Sequence, residues 1–217
     1  VYIFIVLLLP AIKAAATVKL HSLFSDNMVI QRELPIHIFG TADQGESITV
    51  TFGNATVHAV ADIKGNWSVE LPAQEVCMIG QSLVVEGKTK IVLRDILIGD
   101  VWLCSGQSNM EMPMKGFKNQ PVENANMDIL RSKNPHIRLF TVKRTSTITP
   151  QNDVVGSWKE AAPVSVRDFS ATAYYFGRLV NEILEVPVGL VVAAWGGSAC
   201  EAWMTADWLK AFPDAKI

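Results

Sequence analysis

Asp100-Val101-Trp102-Leu103-Cys104-Ser105-Gly106-Gln107-Ser108-Asn109-Met110-Glu111 joins an apolar, strand-like run to a Gly-Gln-Ser-Asn turn and then a helix-like segment. A serine at a strand-to-helix turn holds its hydroxyl clear of the sheet, beside backbone N–H groups that can stabilise an oxyanion. Covalent acyl transfer asks for that combination. The same residues fit a plainer use, because Ser108-Asn109-Met110-Glu111 matches the Ser-x-x-Glu capping box, which satisfies free amides at a helix start. The stretch also lacks the second glycine of Gly-x-Ser-x-Gly, so it is not the elbow of an ordinary α/β-hydrolase.

A second turn of interest follows the buried run Pro187-Val188-Gly189-Leu190-Val191-Val192-Ala193-Ala194: Trp195-Gly196-Gly197-Ser198-Ala199-Cys200-Glu201-Ala202-Trp203. A glycine there lets backbone approach a ligand, and its N–H can serve as an oxyanion donor. The double glycine equally fits a phosphate nest or a simple loop, although the Gly-Lys-Ser/Thr of a P-loop is absent. Glu201 and Trp203 suit a sugar pocket, with an aromatic face for the ring and a carboxylate for hydroxyls; a helix-start acid and a core aromatic are the alternative. In parallel α/β sheets, sites form outside the carboxyl ends of strands. The Ser108 and Gly197 turns therefore share one crevice if their strands are neighbours.

Two kinds of element must carry these turns. From about Leu20 to Arg94 the pattern has period two, with strands expected at 35–40, 47–52, 55–60, 66–71, 82–86 and 90–94 divided by glycine-containing turns. Gly53-Asn54 marks a hairpin. Short strands at this spacing predict a small β-sandwich over 17–95. From Ile96 to Cys104 the run is nearly all apolar, the mark of a strand buried on both faces in a parallel sheet covered by helices. A helix is expected within 122–132, a strand at 137–142, a polar loop at 145–153, a helix over 170–184 and a strand at 187–194. The fold class is therefore α/β, a β-sandwich followed by a parallel-sheet domain from residue 96.

Composition narrows the partners. Of 217 residues, 49% are hydrophobic and 18% charged, and the net charge is −2. No basic stripe marks a nucleic-acid partner. Val1 to Pro10 is a short apolar run and Ala14-Ala15-Ala16 supplies small residues, so 1–16 reads as a signal peptide for export. No segment is apolar for long enough to be a stable membrane span once that signal is cleaved. Cys77, Cys104 and Cys200 form no disulfide framework or metal-ligand spacing, and His21, His37, His58 and His136 are scattered singly. Neither a metal nor a cofactor is implied. Asn54-Ala55-Thr56 and Asn66-Trp67-Ser68 match the glycosylation pattern, which has meaning only in a eukaryotic secretory pathway.

Four segments in combination resemble the sialate O-acetylesterase family of SGNH hydrolases: Ser105-Gly106-Gln107-Ser108-Asn109-Met110 after its strand, Phe169-Ser170-Ala171 to Phe176-Gly177-Arg178, Trp195-Gly196-Gly197-Ser198 with Glu201-Ala202-Trp203, and Leu23-Phe24-Ser25-Asp26-Asn27-Met28-Val29-Ile30-Gln31. The resemblance covers nearly the whole chain beyond the signal. It implies Ser108 as nucleophile and oxyanion N–H donor, Gly197 as second donor, and Gln107, Asn109, Glu201 and Trp203 as substrate contacts. The substrate it implies is an O-acetylated carbohydrate, plausibly a sialic acid, and the place of action is periplasmic or extracellular, or lysosomal in a eukaryote.

The pattern also departs from the family. Its Asp-x-x-His base is missing, since no aspartate here has a histidine three residues on, and the Gln-Gly-Glu-Ser-Asn-like block that carries a third oxyanion donor is missing too. Residues 96–217 are therefore expected to be the N-terminal part of a truncated SGNH-type domain, nearly inactive alone, from a parent that hydrolyses acetyl esters through acetyl-serine. A non-catalytic carbohydrate-binding protein and an acetylxylan-type esterase are the alternatives.

Overall fold

The computed structural model describes residues 18–147 and 149–212; the expected signal at 1–16 lies outside them. The chain is mixed α/β and rich in strands. In order these are β1 Lys19–Leu20, β2 Val29–Gln31, β3 Ile36–Thr41, β4 Ser47–Phe52, β5 Ala55–Val60, β6 Asn66–Leu71, β7 Cys77–Glu86, β8 Lys90–Gly106, β9 Asn134–Thr141, β10 Trp158–Ala161 and β11 Val188–Ala194. The helices are α1 Ser108–Glu111, α2 Ala125–Leu130, α3 Pro163–Val166, α4 Ala171–Leu184 and α5 Ala206–Leu209, with a 3-10 turn at Cys200–Trp203.

The strands form a three-stranded sheet, β1-β3-β6, and an eight-stranded sheet ordered β10-β9-β11-β8-β7-β4-β5, with β2 also paired to β8. Strict alternation makes the antiparallel part: Ile48, Val50 and Phe52 of β4 point inward and are fully buried. They meet Ile36 and Ile38 of β3, Val69 and Leu71 of β6, and Leu83 and Val85 of β7 in one apolar cluster between the two sheets. The β4–β5 hairpin forms at Gly53-Asn54 as the sequence predicts, with Ser47 opposite Val60 and Phe52 opposite Ala55.

β8 departs from expectation. Two strands broken near residue 95 are predicted, but one strand runs through all 17 residues. Gln81 opposes Ile96 while Leu83 opposes Leu93, so Arg94 and Asp95 face a single residue of β7. This is a β-bulge, with Asp95 at φ 57°. The expected division at residues 95 and 96 thus falls inside one strand. Beyond the bulge β8 runs parallel to β11, which in turn runs parallel to β9.

The two faces of this parallel part have different covers. Ile137 and Leu139 of β9 and Val188, Leu190 and Val192 of β11 pack under the helices with Val166, Phe169 and Tyr174. Phe140 and Trp158 point the other way and join the cluster of the antiparallel sheets. β9 and β11 thus have helices on one face and the first part of the chain on the other, rather than helices on both; in β8 the expected burial on both faces holds for Ile96, Leu97 and Ile98, whereas Trp102 and Leu103 are exposed.

Buried Arg138 fastens the junction. Its guanidinium donates to Asp95 Oδ2 at 2.7 Å and Asn27 Oδ1 at 3.1 Å, and its Nε donates to the Pro135 carbonyl at 2.7 Å. A buried charge needs such partners, and here they come from both parts of the chain.

Candidate active site

Register brings the two turns together. Ala193 and Ala194 of β11 lie opposite Ser105 and Gly106 of β8, and the Trp195 N–H donates to the Gly106 carbonyl at 3.0 Å. The chain then leaves β8 through Gly106 at φ 147° and turns after β11 through Gly197 at φ 77°, two conformations that glycine adopts without penalty. A β-carbon on Gly196 would lie 3.5 Å from Ser108 Cα, so the turns touch. The crevice expected at the carboxyl ends of neighbouring parallel strands is present.

Ser108 opens the single turn of α1 and is exposed. The capping box does not form. Gln107 occupies the cap position, no side chain caps the turn, and the Met110 and Glu111 amides are satisfied by the Gln107 carbonyl at 3.0 and 2.9 Å. Among the described residues the Ser108 hydroxyl makes no hydrogen bond. Glu111, the other half of the expected box, instead accepts from the Gly196 N–H and from Arg144 Nη1.

The segment after α1 is laced to the start of α4. Met114 N–H donates to the Phe169 carbonyl and Ala171 N–H to the Met112 carbonyl, at 2.9 and 2.8 Å. Ser170, buried, caps α4 by accepting from Ala173 N–H, and Thr172 Oγ1 donates to the Asn109 carbonyl at 2.9 Å. The Phe169 to Arg178 segment thus serves as the support that fixes the Ser108 turn.

The remaining predicted contacts divide. Gln107 and Asn109 flank Ser108 and are exposed. Trp203 donates from Nε1 to Ser198 Oγ at 2.8 Å, and Ser198 Oγ donates to the Trp195 carbonyl at 2.7 Å, so the indole is held against its own turn. With Trp195, Arg144, Thr145 and Gln151 it lines a cavity of about 340 Å³. Glu201 is exposed in the 3-10 turn and its carboxylate has no hydrogen-bond partner among the described residues. A neighbouring cavity of about 370 Å³ is lined by Glu111, Lys115, Arg144, Asp168, Ser170 and Val192. Trp195 stands in the glycine-turn segment that the sequence singles out, but its place in a cavity, Arg144 and the Glu111 contacts do not follow from the sequence, where the Ser-x-x-Glu spacing marks Glu111 only as a capping residue.

A larger cleft of about 810 Å³, lined by Lys19, Phe39, Trp67 and Asp153 among others, includes none of these site residues. The histidines are engaged elsewhere. His21 pairs with Asp153 at 3.3 Å, His37 with Glu70 at 3.4 Å, and His58 Nδ1 bonds Thr49 Oγ1 at 3.1 Å. His136 precedes Ile137, which aligns through Val188 with Asp100. At about 3.3 Å per residue, that is about 20 Å below the Gly106 end of β8. Burial pushes the Cys104 thiol above its ordinary value, which makes it a poor nucleophile.

No family model matches the chain. It is 33% identical over 208 residues to the sialate O-acetylesterase of Rattus norvegicus, covering 87% of this chain and 38% of that protein. The Homo sapiens sialate O-acetylesterase is 30% identical over 209 residues, covering 88% and 39%. The crystal structure of a carbohydrate acetylesterase from Xanthomonas citri superposes with a TM-score of 0.85 at 33% identity, covering 89% of this chain and 44% of that one. The chain belongs to the sialate O-acetylesterase family. It spans less than two-fifths of the length of these curated family members.

Proposed function

We propose that this chain carries the nucleophile and oxyanion part of an exported carbohydrate O-acetylesterase of the SGNH type. One observation carries the reading: among the described residues the exposed Ser108 hydroxyl is left without a hydrogen bond, against the Gly196-Gly197 turn of the neighbouring parallel strand. A serine that served only as a helix cap would have spent that hydroxyl on an amide.

In this reading Ser108 Oγ attacks the carbonyl carbon of a sugar acetyl ester as its proton passes to a general base. The carbonyl π electrons move onto oxygen, where the N–H groups of Ser108 and Gly197 stabilise the charge. Collapse of the intermediate breaks the bond to the sugar oxygen, which takes the proton back from the base and leaves as a hydroxyl. Water then attacks acetyl-Ser108, giving acetate and the free serine. The base that this step needs is an Asp-x-x-His pair, a spacing that residues 1–217 do not contain. Gln107, Asn109, Glu201 and Trp203 contact the sugar, for which O-acetylated sialic acid is the first candidate.

The test is turnover of an acetyl ester reporter and of acetylated sialic acid by the full-length protein, before and after Ser108→Ala. The substitution is expected to lower kcat by at least about 10⁴-fold, as loss of a serine nucleophile does elsewhere. Undiminished turnover overturns the reading.

A further inference from the structure

Three strand ends meet at one carboxylate. Glu111, whose side chain is 19% exposed, closes the turn after β8. Its Oε2 accepts the N–H of Gly196, in the turn after β11, and its Oε1 accepts Arg144 Nη1, from the segment after β9. In the sheet β11 lies between β9 and β8, so a single side chain ties together the carboxyl ends of three adjacent parallel strands.

The two glycine amides are used differently. Gly196 N–H is taken by Glu111, whereas Gly197 N–H has no partner among the described residues. The space around each matches its use. A β-carbon on Gly196 would come within 2.5 Å of Glu111 Oε2, so glycine is what lets the carboxylate reach the backbone; a β-carbon on Gly197 would meet nothing within 4 Å.

Two successive glycines make a very compliant link, because each samples both signs of φ. An oxyanion donor works only when it is fixed before charge develops. Within the turn the Ser198 N–H and Oγ both donate to the Trp195 carbonyl, and the charge-assisted bond from Gly196 to Glu111 is the contact that fixes the turn against Ser108. On the reading of Ser108 given above, we propose that Glu111 is a positioning residue for the oxyanion site. It pins the Trp195–Gly196 peptide, with Arg144 as its second anchor, so that the Gly197 N–H faces the oxygen on which charge develops as Ser108 attacks.

Glu111→Gln and Arg144→Met in the full-length protein test this, with Ser108→Ala as control. Glutamine keeps the size and one acceptor oxygen but cannot accept from both Gly196 and Arg144. Its kcat is expected to fall about 10²-fold with KM within about twofold, the split that follows when only the transition state loses stabilisation. The Gly196 amide proton should also shift upfield and exchange faster. Arg144→Met, at a half-exposed side chain, should lower kcat about tenfold by the same route and decides the matter if Glu111→Gln fails to fold. A folded Glu111→Gln enzyme with kcat within about threefold of the parent, or one in which KM alone rises, overturns the positioning role while leaving the esterase reading intact. Undiminished turnover in Ser108→Ala overturns both.

Discussion

Along β8, residues 90–99 and residues 100–106 belong to one strand but to different surroundings. The first stretch pairs with β7 antiparallel and gains β2 as a parallel partner at residues 97–99, where it is doubly paired, and Ile96, Leu97 and Ile98 are almost wholly buried. The second is paired only with β11 among the described strands, and Trp102 and Leu103 are 43% and 71% exposed. Gln31 Oε1 accepts the Val101 N–H at the point where the second partner is lost. The difference separates two jobs. Cohesion is lodged where the strand is doubly paired, and the turn that carries Ser108 is held out at the lightly packed end by α4 and by Glu111.

Reciprocal substitutions would break that division most visibly. Ser108→Ala at the open end is expected to remove turnover by at least about 10⁴-fold while leaving the unfolding midpoint where it was, since an exposed hydroxyl without a partner contributes little to stability. Ile98→Ala at the closed end should do the opposite. It opens a cavity between β2 and β7 at a fully buried site, costing about 4 kcal/mol in denaturant unfolding, with kcat unchanged for the molecules that remain folded. Loss of both properties in either variant would show that the two ends of β8 act as one.

The next effect concerns the bulge between the two stretches. Asp95 accepts from Arg138, which is 2% exposed, and Asp95→Ala leaves that guanidinium with the Asn27 and Pro135 oxygens and a longer ion pair, 3.9 Å, to Glu160. Arg138 is buried but Asp95 is 40% exposed, so the loss falls below that of a wholly buried pair, and about 1–2 kcal/mol is expected by denaturant unfolding of the full-length protein. Asp95→Asn, which keeps an oxygen acceptor, should recover part of the loss. A negligible change in both would mean that the bulge, rather than the ion pair, holds the junction.

What the sequence made legible follows from the range of the forces involved. The β4–β5 hairpin is written locally, in alternating residues around Gly53-Asn54, and so is α4, with Ser170 as cap and Tyr174 and Gly177 on its buried face. β2 and β10, three and four residues long, are too short to carry a period. The continuity of β8 was hidden because Asp95 and its charged neighbour Arg94 look like a break, whereas a bulge accommodates them inside the ladder. At the site, the serine turn and the glycine turn were readable as types. The use of Glu111 was not, because its partners Arg144 and Gly196 lie 33 and 85 residues away and only the sheet order brings them to it.

The smallest effect sharpens the comparison by pH. Asp128 of α2 accepts from Tyr175 Oη at 2.7 Å and from Arg178 Nη1 at 2.8 Å, both on α4, and these contacts, the tyrosine first, hold its carboxyl below the ordinary range. A depressed acid stabilises above its unfolded value of about 3.9, and that contribution disappears as pH falls through the depressed value. Asp62, in the antiparallel part, is lowered by the Asn66 amide, so acid sensitivity is shared by both regions. The alkaline side is different. Burial first, then the Asp128 hydrogen bond, pushes Tyr175 up to about 12. A raised pKa stabilises fully below the unfolded value of about 10, and the contribution is lost as pH rises from there toward the folded value. Between those limits the helical cover of the parallel part should loosen while β4–β7 holds, which hydrogen exchange resolved by residue can follow. Burial also pushes Tyr174 up, so Tyr175→Phe should reduce this selective loosening to the share of Tyr174; if the loosening is undiminished in that variant, Tyr175 is not its origin.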